Sequence, residues 1–166
     1  MVVLIKVNFD NVVLHNMRFL ILFFFIISFS SYSQVHFSDA IEKKVMKTVI
    51  QYLDVKEFNY KVIHSLPQLG LKENHIFKIS TYGEDVGYFV LDQSMGQYDN
   101  FDYVVVFDQE LNMLAVKILN YREDYGYEIS SRWWLSQFIG KKAGKNMIYK
   151  EDIDALSGAT ISAKSI

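Results

Sequence analysis

The sequence predicts an α+β fold: an antiparallel sheet with helices packed on it, forming a single domain after an N-terminal signal segment. Three observations predict it. Apolar residues recur at helical spacing over 38–53. Several short β-rich segments then follow, separated by turn signals. A second, shorter helical pattern follows the last of them. The 166 residues are 51% hydrophobic and 16% aromatic, enough to build one sizeable core.

The chain begins with its least domain-like stretch. Met17-Arg18 precedes eleven residues, Phe19 to Phe29, that are apolar except for Ser28, and then the polar run Ser30-Ser31-Tyr32-Ser33-Gln34. A positive residue, an apolar run and a polar region with small residues at Ser31 and Ser33 make a secretory signal pattern, cleaved before Gln34. Residues 1–33 are therefore read as the signal region, with translation starting at Met17, and 34–166 as the domain. An uncleaved anchor is the alternative. Both place the domain outside the cytoplasm, in the periplasm or on the outer face of the cytoplasmic membrane.

Ser38-Asp39 opens the first helix, with Ser38 as cap and Asp39 at the positive end. Ile41, Val45, Met46, Val49, Ile50 and Leu53 make its core face. Phe58–His64, Ile76–Ser80 and Val86–Asp92 read as strands, and Tyr103–Phe107 as a central strand. Asp108–Asn112 is a tight connection into Met113–Leu119. Gly87 and Gly96 read as a bulge and a turn in preference to sites of ligand approach. Ser131–Lys141 reads as a short helix with Leu135, Phe138 and Ile139 inward and Gly140 as its stop.

Composition narrows the function. There is no cysteine, which excludes disulfides, thiolate metal sites and thiol nucleophiles, so redox chemistry requires a bound cofactor. The net charge of −2 gives no reason to expect nucleic-acid binding. The four histidines show no helical metal-ligand spacing, and no metal or catalytic residue is assigned.

The informative stretch lies at the end: Asp154-Ala155-Leu156-Ser157-Gly158-Ala159-Thr160. Gly158 and Ala159 allow close approach of the backbone, and successive N–H groups at a helix start can hold an anion. Thr160 adds a hydroxyl and Asp154 a carboxylate, which together suit phosphate chemistry. By average residue usage such a pattern arises by chance in about one chain in a thousand of this length.

This Asp-x-x-Ser-Gly-Ala-Thr sequence resembles the flavinylation motif of the bacterial FMN-binding domain family. That family includes a flavin-carrying component of the Na+-pumping NADH:quinone reductase and its counterpart in the Rnf-type complex. A second stretch adds to the resemblance: Glu123 and Gly126 match the family's acidic loop, while Gln137, Phe138, Gly140 and Lys141 match the short helix after it. Asp124 and Tyr125 stand where the family has threonine and proline. The resemblance implies FMN bound through a phosphoester to Thr160, with Ser157, Gly158, Ala159, Asp154 and Glu123 as further cofactor-binding positions. It implies a flavin transferase as maturation partner, an electron donor and acceptor among membrane redox proteins, and extracytoplasmic electron transfer as the function. A small flavin-dependent reductase, or an exported binding module without flavin, are the alternatives.

Some roles stay open. Tyr125, Tyr127, Trp133 and Trp134 are candidates for the flavin's walls, with at least one tryptophan in the core. Glu123 either bonds the flavin or caps the next helix. Asp154 either assists the transferase or caps a turn. Lys141, Lys142 and Lys145 either offset phosphate or form a solvated loop. Ser162–Ile166 is expected to be the first turn of a C-terminal helix, in a minimal or truncated domain.

Overall fold

Helix α1 spans Asp39–Leu53, as the apolar stripe predicts. Ser38 Oγ accepts the Ile41 amide, satisfying one of the helix's unpaired first-turn donors. Val45 and Val49 are buried, and Thr48 between them returns its hydroxyl to the Lys44 carbonyl at 2.8 Å. In this computed structural model, residues 38–64, 66 and 75–166 are described. The predicted signal segment lies outside them, as do the turn residues Ser65, Pro67, Glu73 and Asn74.

Five strands follow among the described residues: β1 (Asn59–Ile63), β2 (Ile76–Thr81), β3 (Glu84–Met95), β4 (Asn100–Phe107) and β5 (Met113–Asn120). They pair in chain order, every pair antiparallel. β2 and β3 are joined by Tyr82 and Gly83, both at positive φ, which matches the two-residue turn that right-twisted hairpins favour. β3 runs 12 residues, well beyond the apolar stretch at 86–92. Its polar ends still pair, Glu84 with Thr81 and Gln93 with Asp102, because ladder bonds use backbone groups whatever the side chain.

Side-chain alternation divides the core into two layers. On one face Phe77, Phe89, Leu91, Val104 and Val106 pack against Val45 and Val49 of α1. Phe77 and Phe89 stand opposite in register, their rings stacked at 4.5 Å. On the other face Ile76, Val90, Val105, Phe107 and Val116 meet the C-terminal segment through Ile129, Trp134, Leu135, Phe138 and Leu156. From Phe101 onward, every residue of β4 is buried.

The register shifts between Ile79 and Ser80, opposite Gly87, so Gly87 does mark a bulge. A Cβ on Gly87 would lie 2.3 Å from the Phe107 carbonyl oxygen. That neighbour is backbone at the end of β4, paired with both β3 and β5, and cannot swing away. Gly87→Ala is expected to lower stability by about 2 kcal/mol, read from the midpoint of chemical denaturation.

The segment after β5 differs from its prediction. A 3-10 turn at Tyr127–Ser130 leads into α2 (Arg132–Leu135) and a second 3-10 turn at Ser136–Phe138. Ile139 therefore does not join the inner stripe; it is extended and 46% exposed. The tighter turn ends one residue early because the chain leaves to pair with β5: Gly140 donates to Met113 O, and Met113 to Lys141 O. Helix α3 (Thr160–Ser165) likewise starts two residues before the expected turn, with Thr160 in its first position.

Candidate functional site

The 154–160 stretch is held by its backbone, leaving its polar side chains at the surface. Trp134 Nε1 donates to the Asp154 carbonyl at 3.0 Å, and the Asp154 amide donates to Gln137 Oε1 at 2.8 Å. Gln137 in turn donates to the Trp134 carbonyl, so one short helical segment fixes both backbone groups of Asp154. Two residues on, the Leu156 amide donates to the Tyr149 hydroxyl at 3.1 Å while the Leu156 side chain enters the core. Ser157 and Gly158 then form an exposed turn, closed by Ala159 N donating to Leu156 O. Gly158 has φ +80°, and nothing lies within 4 Å of where a Cβ would stand.

Ala159 is buried and offers no side-chain cap to α3. Thr160 is exposed beside it, its hydroxyl making a long 3.4 Å contact to Leu156 O. The Thr160 hydroxyl, the open Gly158 backbone and the uncapped start of α3 thus share one surface.

The loop after β5 closes against this turn. Gly126 is buried at φ +80°, and a Cβ there would meet Gly158 O at 2.9 Å, Tyr121 Oη at 2.9 Å and Ala159 Cβ at 3.1 Å. Its chain neighbours Tyr125 and Tyr127 are 79% and 59% exposed. Tyr121 supports the loop from below: its ring contacts Tyr127 edge-on at 5.7 Å, and its hydroxyl lies 3.1 Å from Ser162 Oγ of α3. Burial raises the Tyr121 pKa, Ser162 pulls it down, and Glu123 raises it, so the phenol stays neutral and bridging. At the other end of α3, Ser165 Oγ donates to Met95 O at 2.6 Å.

Glu123 has definite partners. Its Oε1 accepts the amides of Tyr98 at 2.7 Å and Asp99 at 3.3 Å, and its Oε2 lies 3.5 Å from the Tyr121 hydroxyl. It therefore pins the turn at 96–99, and a Cβ on Gly96 would displace that carboxylate, 2.2 Å away, and press on the Asp99 carbonyl oxygen at 2.7 Å. The structure brings Ser157, Gly158, Ala159 and Thr160 together with Gly126. It places Asp154 at the end clamped by Trp134 and Gln137, and Glu123 behind Tyr121.

The tryptophans separate: Trp134 is fully buried, whereas Trp133 is 58% exposed. Lys141 and Lys142 pair through their backbones with Met113 and Asn112 at the start of β5. Lys164, one helical turn after Thr160, lies 5.6 Å above the Tyr149 ring. Tyr121, Tyr149 and Ser162 are supporting residues that the sequence reading passed over. Only Ser162 had a usable signal, a small polar residue one helical step from an apolar alanine.

Comparison with known proteins decides the family. The model of the FMN-binding domain matches residues 96–166. Residues 96–166 belong to the FMN-binding domain family. The FMN-binding domain so defined runs from the Gly96 turn through β4, β5 and α2 to the end of α3. The fold is also similar to the crystal structure of Shewanella oneidensis NqrC, with a TM-score of 0.54 and 16% identity, over 74% of this chain and 86% of that one. That likeness is one of fold. No curated protein matches the chain.

The surface of the FMN-binding domain fits the group its family binds. Tyr125 and Tyr127 offer exposed aromatic faces next to the Gly126–Gly158 contact, as a planar ring system requires. Thr160, open backbone and Lys164 lie on the side suited to a phosphate.

Proposed function

We propose that this protein is an exported flavoprotein that carries FMN covalently on Thr160 and passes electrons between partners outside the cytoplasm. The observation that carries the proposal is the exposed Thr160 hydroxyl at the first position of α3, next to the open backbone of Gly158. When bound, FMN supplies the redox chemistry; the chain holds, orients and shields it. Gly158 admits the phosphate to the backbone, and the buried Ala159 sets the direction in which Thr160 emerges. Tyr125 and Tyr127 provide the ring's apolar walls. Asp154, exposed and anchored only through its backbone, has its carboxylate available to the flavin transferase. Membrane redox proteins are the proposed donor and acceptor, an assignment supported by the NqrC-like fold. A tether through phosphate leaves the ring system chemically unaltered and prevents its loss outside the cell interior.

The test is mass spectrometry of the Thr160 peptide after co-expression with a flavin transferase and export. The expected result is a mass gain of FMN less water, absent in Thr160→Ala. An unmodified peptide, with the transferase active on a control substrate, would remove the electron-carrier reading.

A further inference from the structure

A cleft of about 330 Å3 lies along β5, away from Thr160, where the last strand of the sheet faces the segment after it. Its apolar lining comes from Leu114, Val116 and Ile118 of β5 and from Leu135 and Ile139 across the gap. Ile139 is the residue that left the helical stripe, and its exposed side chain lines this cleft. The size is that of a small-molecule site, and polar and apolar surface share the lining about equally.

Gln51, Tyr52, Ser130 and Ser136 add polar groups to the lining, together with two cations, Lys117 and Arg132. Lys117 Nζ lies 3.3 Å from Gln51 Oε1 and 5.2 Å from the centre of the Tyr52 ring. Burial, and the charges of Lys47 and Arg132, all lower its pKa. Among the described residues, none of Lys47, Lys117 and Arg132 forms an ion pair with a carboxylate; the pairs formed are His75–Asp92, Lys78–Asp85 and Arg122–Asp102. Two cations therefore line the cleft, with Lys47 close enough to act on Lys117, and no carboxylate is among the lining residues, an arrangement that an external anion relieves.

We propose that this cleft binds a small amphipathic carboxylate, its apolar body between Leu114, Val116, Ile118, Leu135 and Ile139 and its carboxylate between Lys117 and Arg132. The guanidinium suits a planar two-oxygen anion, and the apolar walls select against inorganic anions. The site is independent of the flavin reading, and Thr160→Ala leaves it intact.

The test is calorimetric and NMR titration of the exported protein with 4-phenylbutyrate and with its neutral counterpart 4-phenyl-1-butanol. The expected result is saturable binding of the carboxylate, with amide shifts at 114–118 and 130–139, and at least about tenfold weaker binding of the alcohol. Lys117→Met, which keeps the apolar stem, and Arg132→Gln, at an exposed position, are each expected to weaken the carboxylate about fivefold or more while leaving the alcohol unaffected. Equal binding of acid and alcohol, indifference to both substitutions, or no saturable binding overturns the proposal. So does protection of the Ala115 and Lys117 amides by an acidic valine-rich peptide without any response to phenylbutyrate, which would make the edge of β5 a strand-pairing site instead.

Discussion

Trp134→Ala is expected to cost about 4 kcal/mol, the largest stability loss of any single substitution in the C-terminal layer. The side chain is fully buried and packs edge-on against Phe138, with ring centres 5.3 Å apart. Its removal leaves a cavity on the second face of the sheet and an Asp154 carbonyl without its donor. Against a total of about 5–15 kcal/mol for a domain, that is a large share. Trp134→Phe separates the two contributions, since it retains apolar bulk but has no N–H. It is expected to cost about 2 kcal/mol and to loosen 154–160 more than the sheet. Denaturation midpoints measure the first effect, and hydrogen exchange at Leu156 and Ala159 the second. Equal protection of those amides in Trp134→Phe and the parent protein would show that the indole bond does not hold the motif.

Gly126→Ala is expected to have the largest effect on the site itself. Two costs add at this position. A non-glycine residue at φ +80° is strained by about 1–2 kcal/mol, and the new methyl would press on Gly158 O, Tyr121 Oη and Ala159 Cβ together. Gly140→Ala supplies the control: φ is +78° there, but nothing lies within 4 Å of the added Cβ. The difference between the two variants isolates the contact between the loops. Flavin occupancy, measured by the mass of the Thr160 peptide, is expected to fall severalfold in Gly126→Ala and to stay unchanged in Gly140→Ala. Equal occupancy in both would mean that closure of this loop on the motif plays no part in carrying the cofactor.

The sheet was legible because burial writes a period of two into the sequence, and α1 because its stripe has a helical period and a serine cap. The ends of β3 were not, since Glu84 and Gln93 pair through groups that every residue has. Ile139 was misplaced because its helix tightens to a 3-10 turn, whose end depends on the Met113 backbone it must reach. The turn at Ser157-Gly158 and the helix that follows it were legible because one local stretch carries them. The site was not legible where the partner is distant. Glu123 is held by amides 24 and 25 residues earlier, and the burial of Trp134 rather than Trp133 depends on a carbonyl 20 residues later. Neither separation leaves a pattern in a single chain.

Helix α3 is only six residues long, too short to persist in water by itself. It exists because Ser162 meets Tyr121 and Ser165 reaches Met95, two residues that belong to the sheet and its margin. The display of Thr160 is thus a report on the assembled sheet. An enzyme that recognises the threonine in this setting distinguishes finished molecules from unfinished ones, so the chemical mark would double as a seal of correct folding. Under the proposed function, chains that fail to close their meander would lack the mark and remain inert.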